Sequence, residues 1–164
     1  MTAPAPILRL LVCGSADRGD DGAALNAVAH VLPRLALDVR QQLEVRRCVQ
    51  LDPIDVISIA AGEACLVLDT VVGVVPGEVV ALDLDDLADR ATVAPRSSHA
   101  LPIDQTLGIA RACRGGLPRG MFVGIGGKWF GFGQTRSRAL RDGMVAFESV
   151  IEAAILNLTA PVPA

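Results

Sequence analysis

Short apolar runs that alternate with amphipathic helical patterns predict an α/β fold. The expected architecture is a single domain with a mainly parallel, twisted sheet of about five strands and helices on both faces. Two further observations support it. The 164 residues contain no repeat, linker or low-complexity segment, and that length suits one domain with a continuous apolar core. The strand-like runs are also apolar on both sides, as strands covered by helices on each face should be.

The elements follow in order. "ILRLLVCG" (7–14) is apolar and closed by glycine, and reads as a buried strand. After the acidic loop "CGSADRGDDGAA" (13–24), Leu25, Val28, Leu32 and Leu35 recur at helical spacing, with Asp20 placed as the N-cap and Pro33 near the end. "LEVRRCVQL" (43–51) is a second strand, and its two arginines suit a position near the sheet edge. Asp52-Pro53 is a cap followed by proline at the first helical position; Ile54, Ile57 and Ala61 then share a face, and Gly62 stops the helix. "ACLVLDTVV" (64–72) reads as the central strand, apolar until Asp69, and "EVVALDL" (78–84) as a strand antiparallel to one neighbour. Residues 85–98 read as a loop. Ile103, Leu107 and Ala110 mark a helix ending near Gly115-Gly116, and "GMFVGIGG" (120–127) is a further strand. From Ser137 onward, Leu140, Met144, Phe147, Ile151, Ala154 and Leu158 form the longest helical stripe. One domain over 1–164 is expected, with its core at about 7–158 and a frayed end at 159–164.

Composition narrows the function. Hydrophobic residues make up 51% of the chain, yet no apolar run approaches the roughly 18 residues of a membrane span. The start, "MTAPAPILRLLVCG", lacks the pattern of a signal peptide, so a cytoplasmic protein is expected. A net charge of -3 argues against nucleic acid as a partner, and the arginines at 114–119 and 136–141 read as solvated helix ends and loops. Cys13, Cys48, Cys65 and Cys113 form no CxxC pair and are read as buried core thiols. His30 lies off the apolar stripe of its helix and should face solvent.

In open parallel sheets, ligands bind beyond the carboxyl ends of the strands. The first strand ends before a loop that carries Asp17, Asp20 and Asp21. The third ends at Asp69, and His99 lies in "RSSHALP" before a later helix. A carboxylate in a buried strand is costly unless it is paired or solvated. Asp21, Asp69 and His99 are therefore the candidate cluster. Each has a plainer reading: Asp21 as a first-turn acid favoured by the helix dipole, Asp69 as a cap on a neighbouring loop, His99 as an ordinary loop residue. Together, two carboxylates and an imidazole suit a divalent metal of intermediate hardness and leave positions open on it. Without cysteine, the set is not a structural zinc site. GxSxG, HExxH, GxGxxG and P-loop patterns are absent.

The ordered set of "CGSADRGDDG", "LVLD" (66–69), "SSH" (97–99), "FVGIGG" (122–127) and a long C-terminal helix resembles the hydrogenase maturation proteases. These endopeptidases trim the large subunit of [NiFe] hydrogenases. The resemblance runs from about residue 7 to 157. It implies a twisted sheet sandwiched by helices, and a nickel-recognising cluster formed by Asp21, Asp69 and His99. It further implies nickel carried by the substrate rather than held by the free protein, a [NiFe] hydrogenase large-subunit precursor as partner, and a monomer. The chain departs from the family pattern at Ser15, where asparagine is common. It departs again in "CVQLDPID" (48–55), which lacks the family's glycines, and at Gly126-Gly127, where Glu-Pro or Gln-Pro is common. Two rival readings are a hydrolase of small substrates with a permanently bound metal, and a non-catalytic chaperone of hydrogenase assembly.

Overall fold

The strand Ala64–Val71 (β3) is buried at every position, so it needs cover on both faces and on both edges. The computed structural model, which describes residues 7–90 and 102–163, supplies both. Leu8–Cys13 (β1) and Gly120–Gly126 (β5) flank β3 in parallel; Leu43–Cys48 (β2) lies outside β1, and Val79–Asp83 (β4) pairs antiparallel with β5. The sheet order is β2-β1-β3-β5-β4. The arginine-bearing β2 is an edge strand, as its sequence suggests, and its middle four residues are exposed.

Alternation along β3 splits the core in two. Leu66 and Leu68 face the helices Ala23–Val31 (α1) and Arg138–Thr159 (α6), in a cluster that includes Phe147 and Ile151. Cys65, Val67 and Val71 face Pro53–Ile57 (α3), Leu84–Ala88 (α4) and Ile103–Arg114 (α5), in a cluster with Val56, Leu87 and Leu107. With a period of two, Asp69 shares the face of Val67 and Val71, and Thr70 takes the opposite one. Among the described residues no helix is long and apolar enough to cross a membrane.

Side chains cap two helix starts, the first of them at Asp52 as expected. Asp52 accepts from the Ile54 amide at 2.9 Å while Asp55 accepts from the Asp52 amide at 3.0 Å, a reciprocal box ahead of Pro53. Ser137 accepts from the Leu140 amide at the head of α6. The stripe of α6 is buried at Leu140, Phe147, Ile151, Ala154 and Leu158, joined by Ile155.

Several expectations are corrected. Gly22, not Asp20, precedes α1, because residues 19–22 form a 3-10 turn that consumes the acidic pair. The buried face of α1 is Ala23, Ala24, Ala27, Val28 and Val31, with small residues allowing close approach, while Leu25 and Leu32 are only partly covered. Leu37–Arg40 (α2) is a short helix that the periodicity does not reveal. α3 ends at Ile57, and it buries Asp55 and Val56 while Ile54 stays 58% exposed. β3 runs past Asp69 to Val71. The stretch at 85–98 is not all loop, since Leu84–Ala88 is α4 and its Leu84 and Leu87 seal the lower core. Cys13, Cys48 and Cys65 are buried, but Cys113 is exposed on the outer side of α5.

Candidate active site at the carboxyl rim of the sheet

Four parallel strands bring their carboxyl ends to one rim, and the 15–22 loop, the loop after β5 and the head of α6 all meet there. The two adjacent acids of "GDDG" have different environments. Asp20 is fully buried. Its Oδ2 accepts from the Lys128 amide (2.8 Å), the Trp129 amide (3.1 Å) and the Ser137 hydroxyl (2.7 Å), and its Oδ1 accepts from the Ser137 amide (2.7 Å). The Asp20 carbonyl also accepts from the Thr70 hydroxyl at 2.9 Å. Burial pushes the Asp20 carboxyl up. The Lys128 and Ser137 amides, the Ser137 hydroxyl and the Trp129 amide outweigh it and hold the group below its ordinary value of 3.8. Asp20 is therefore an ionised anchor with its lone pairs committed, and it positions the rim without acting as a base.

Asp21 is half-buried, and its Oδ2 accepts from the Ser15 amide at 2.9 Å. Its placement depends on Gly14, which leaves β1 at a φ of 122°. A Cβ on Gly14 would collide with the Asp21 carbonyl oxygen. Asp69 is 5% exposed, and its Oδ1 accepts from the Thr70 amide at 2.8 Å. In the β1–β3 register Val12 pairs with Leu68, so Asp69 stands one step further along β3, beside the end of β1. Its partner on β5 is Gly124, which presents no side chain on that flank. Asp21 is thus placed beside the end of β1, and Asp69 lies two residues before the end of the neighbouring β3.

His99 lies outside the described residues, as do Ser97 and Ser98. Among the described residues no three His, Cys, Asp or Glu side chains gather closely enough to hold a metal. Next to the site, Cys13 and Cys48 are register partners on β1 and β2, and the Cys48 thiol donates to Asp55 Oδ2 at 3.6 Å. His30 faces solvent, its Nδ1 2.8 Å from Glu148 Oε1. Three arginines of the basic stretches act as backbone clamps, Arg114 donating to the Ile59 carbonyl, Arg119 to Leu158 and Arg136 to Gln134, while Arg138 and Arg141 are solvated as expected. Sequence reasoning missed the anchoring role of Asp20 and its partners, Thr70 and Ser137. Only the serine at the head of α6 carried a local signal.

No protein-family profile matches the chain, and no curated protein matches it in sequence. Solved structures do match. The hydrogenase maturating endopeptidase HybD from E. coli superposes with a TM-score of 0.71 at 15% identity, over 92% of this chain and 93% of that one. The [NiFe] hydrogenase maturation protease HybD from Thermococcus kodakarensis gives 0.62 at 20% identity, over 90% and 97%. The endopeptidase HycI from Escherichia coli gives 0.61 at 20% identity, over 90% of each chain. The chain therefore has the fold of the hydrogenase maturation endopeptidases.

Proposed function

We propose that the chain is a hydrogenase maturation endopeptidase that removes the C-terminal extension of a [NiFe] hydrogenase large-subunit precursor once nickel has been inserted. The observation that carries this reading is the position of Asp21 beside the end of β1 and of Asp69 two residues before the end of β3, two adjacent central strands of the fold these endopeptidases share. His99 is the third member. α5 leads into the amino end of β5, so α5 begins at the carboxyl rim, on the face that carries Asp69. His99 precedes Pro102 by three residues, a reach of up to about 10 Å.

The chemistry follows from ligand hardness. Soft thiolates of the precursor hold the nickel and dominate its affinity. Two carboxylates and an imidazole complete its coordination weakly, so the free protein need not retain metal, and a precursor without nickel lacks the contact. Water attacks the scissile carbonyl: the substrate's nickel would polarise that carbonyl or activate the water, or one of the two rim carboxylates would take the water's proton with nickel only an anchor. Asp20, already ionised and fully bonded, holds the rim in shape. The reading keeps the expectation of a cytoplasmic monomer.

The test is incubation with nickel-loaded precursor, followed by mass measurement of the substrate. Asp21→Asn, Asp69→Asn and His99→Ala should each lower cleavage by at least about a hundredfold. If all three cut like the parent, the site assignment is wrong. Binding without any loss of substrate mass would replace the protease reading with the chaperone. Stoichiometric metal surviving dialysis of the free protein would replace it with the small-substrate hydrolase.

A further inference from the structure

The chain is poor in aromatic residues, with four Phe, one Trp and no Tyr. Phe122 and Phe147 belong to the core. The other three, Trp129, Phe130 and Phe132, lie within four positions of one another in the loop after β5, where Trp129 is 43% and Phe132 83% exposed. Exposed apolar groups concentrated in this way mark an interaction site more often than chance.

The loop is held rigidly. The Asp20 amide donates to the Trp129 carbonyl, the Gly19 amide to Gly133 and the Gly133 amide to Asp17, each at 2.8 Å, in addition to the bonds from Lys128 and Trp129 into Asp20. Two glycines make room for the rings. A Cβ on Gly19 would collide with the Trp129 indole, and one on Gly127 would meet the Phe130 ring and the Thr70 methyl at 2.7 Å. Phe130 therefore packs near Thr70, which faces away from Asp69 but donates to the Asp20 carbonyl, so the aromatic loop adjoins the turn that carries Asp21. Gly127 is also where the chain departs from the family's Glu-Pro or Gln-Pro. Cations border the patch: the Arg18 guanidinium lies 4.9 Å from the centre of the Phe132 ring, and Lys128 is exposed.

We propose that the loop at 128–134 is the docking platform for the precursor, and that it takes an apolar segment with an acidic residue beside it. Trp129 and Phe132 would contact the apolar side chains, while Arg18 and Lys128 would face the carboxylate. The argument rests on the protease reading for the identity of the partner. Its physical basis is separate: fixed aromatic anchors lose little conformational freedom on binding, and Trp and Arg dominate interface energetics. The bordering cations select an acidic segment over a basic one.

Trp129 is the single tryptophan, which makes the test specific. Chain labelled with 5-fluorotryptophan and carrying Asp21→Asn, so that substrate is not consumed, gives one fluorine resonance. Adding unlabelled nickel-loaded precursor should shift or broaden it. In the active chain, Phe132→Ala should raise KM about tenfold while kcat changes less than twofold, and Arg18→Gln should raise KM about threefold at low salt and less at high salt. Phe132 is too exposed for its loss to disturb packing. An unchanged resonance, or an unchanged KM in Phe132→Ala alongside normal cleavage, overturns the platform and leaves the protease reading intact. A resonance that moves with the chain's own concentration, without precursor, overturns it in favour of a second copy. A shift in the labelled chain together with no cleavage by the active chain supports the platform and overturns the protease reading alone.

Discussion

Asp20 and Asp21 are consecutive residues in one turn, yet they do different work. Asp20 is enclosed by four donors drawn from the far end of the chain, and it ties the 15–22 turn to the loop after β5 and the head of α6. Asp21, half-buried, is oriented by the Ser15 amide at the end of β1, near the position Asp69 reaches on β3. What separates the two is burial: Asp20 is fully enclosed, with amides and a hydroxyl on both of its oxygens, and it stabilises the fold, whereas Asp21 keeps part of its surface at the rim.

The comparison is broken most directly by removing each acid in turn. Asp20→Ala strands four buried donors and should destabilise the protein by about 3 kcal/mol or more in urea unfolding. Asp21→Ala should change stability by less than about 1 kcal/mol while abolishing cleavage. Equal stability losses would erase the distinction. Next, Gly14→Ala forces an L side chain into a φ of 122° and into the Asp21 carbonyl, so a loss of about 2 kcal/mol together with reduced cleavage is expected.

A weaker effect appears with pH. The folded Asp20 carboxyl lies below 3.8, so ionised Asp20 stabilises the fold at pH above its unfolded value. That contribution disappears as pH falls through the folded value. Acid titration of unfolding should show a steeper loss below about pH 4 in the parent than in Asp20→Asn. The smallest contrast concerns the thiols. Cys65 is buried, which pushes its thiol up to about 12, whereas Cys113 is exposed. Cys65→Ser should cost about 1–2 kcal/mol for a buried hydroxyl, and Cys113→Ser less than about 0.5 kcal/mol. Thermal unfolding of both checks this.

Much of this architecture is legible from residue pattern. β3 could be assigned because its run is apolar on both faces, the start of α3 because Asp52-Pro53 is a local signal, and α6 because its stripe extends over many turns. α4 escaped notice because five residues, two of them aspartates, are too few for helical periodicity to emerge. The α3 face was misjudged because a capping carboxylate, Asp55, is buried where Ile54 would have been expected. At the site, Asp21 and Asp69 stood out as acids at strand ends. The role of Asp20 did not, since its partners lie 108 to 117 residues away and three of the four are backbone groups without any sequence signature. His99 lies outside the described residues, so its place in the cluster rests on sequence order and reach.

The bonds between residue 20 and residue 137 also bear on the order of assembly. They close a loop of more than a hundred residues, and closure entropy sets in before such distant contacts give anything back. While the chain is being synthesised, the Asp20 carboxylate lacks its donors at Lys128, Trp129 and Ser137 until β5 and the head of α6 have emerged, and it must meanwhile remain hydrated. The rim is therefore among the last parts of the protein to acquire its final shape.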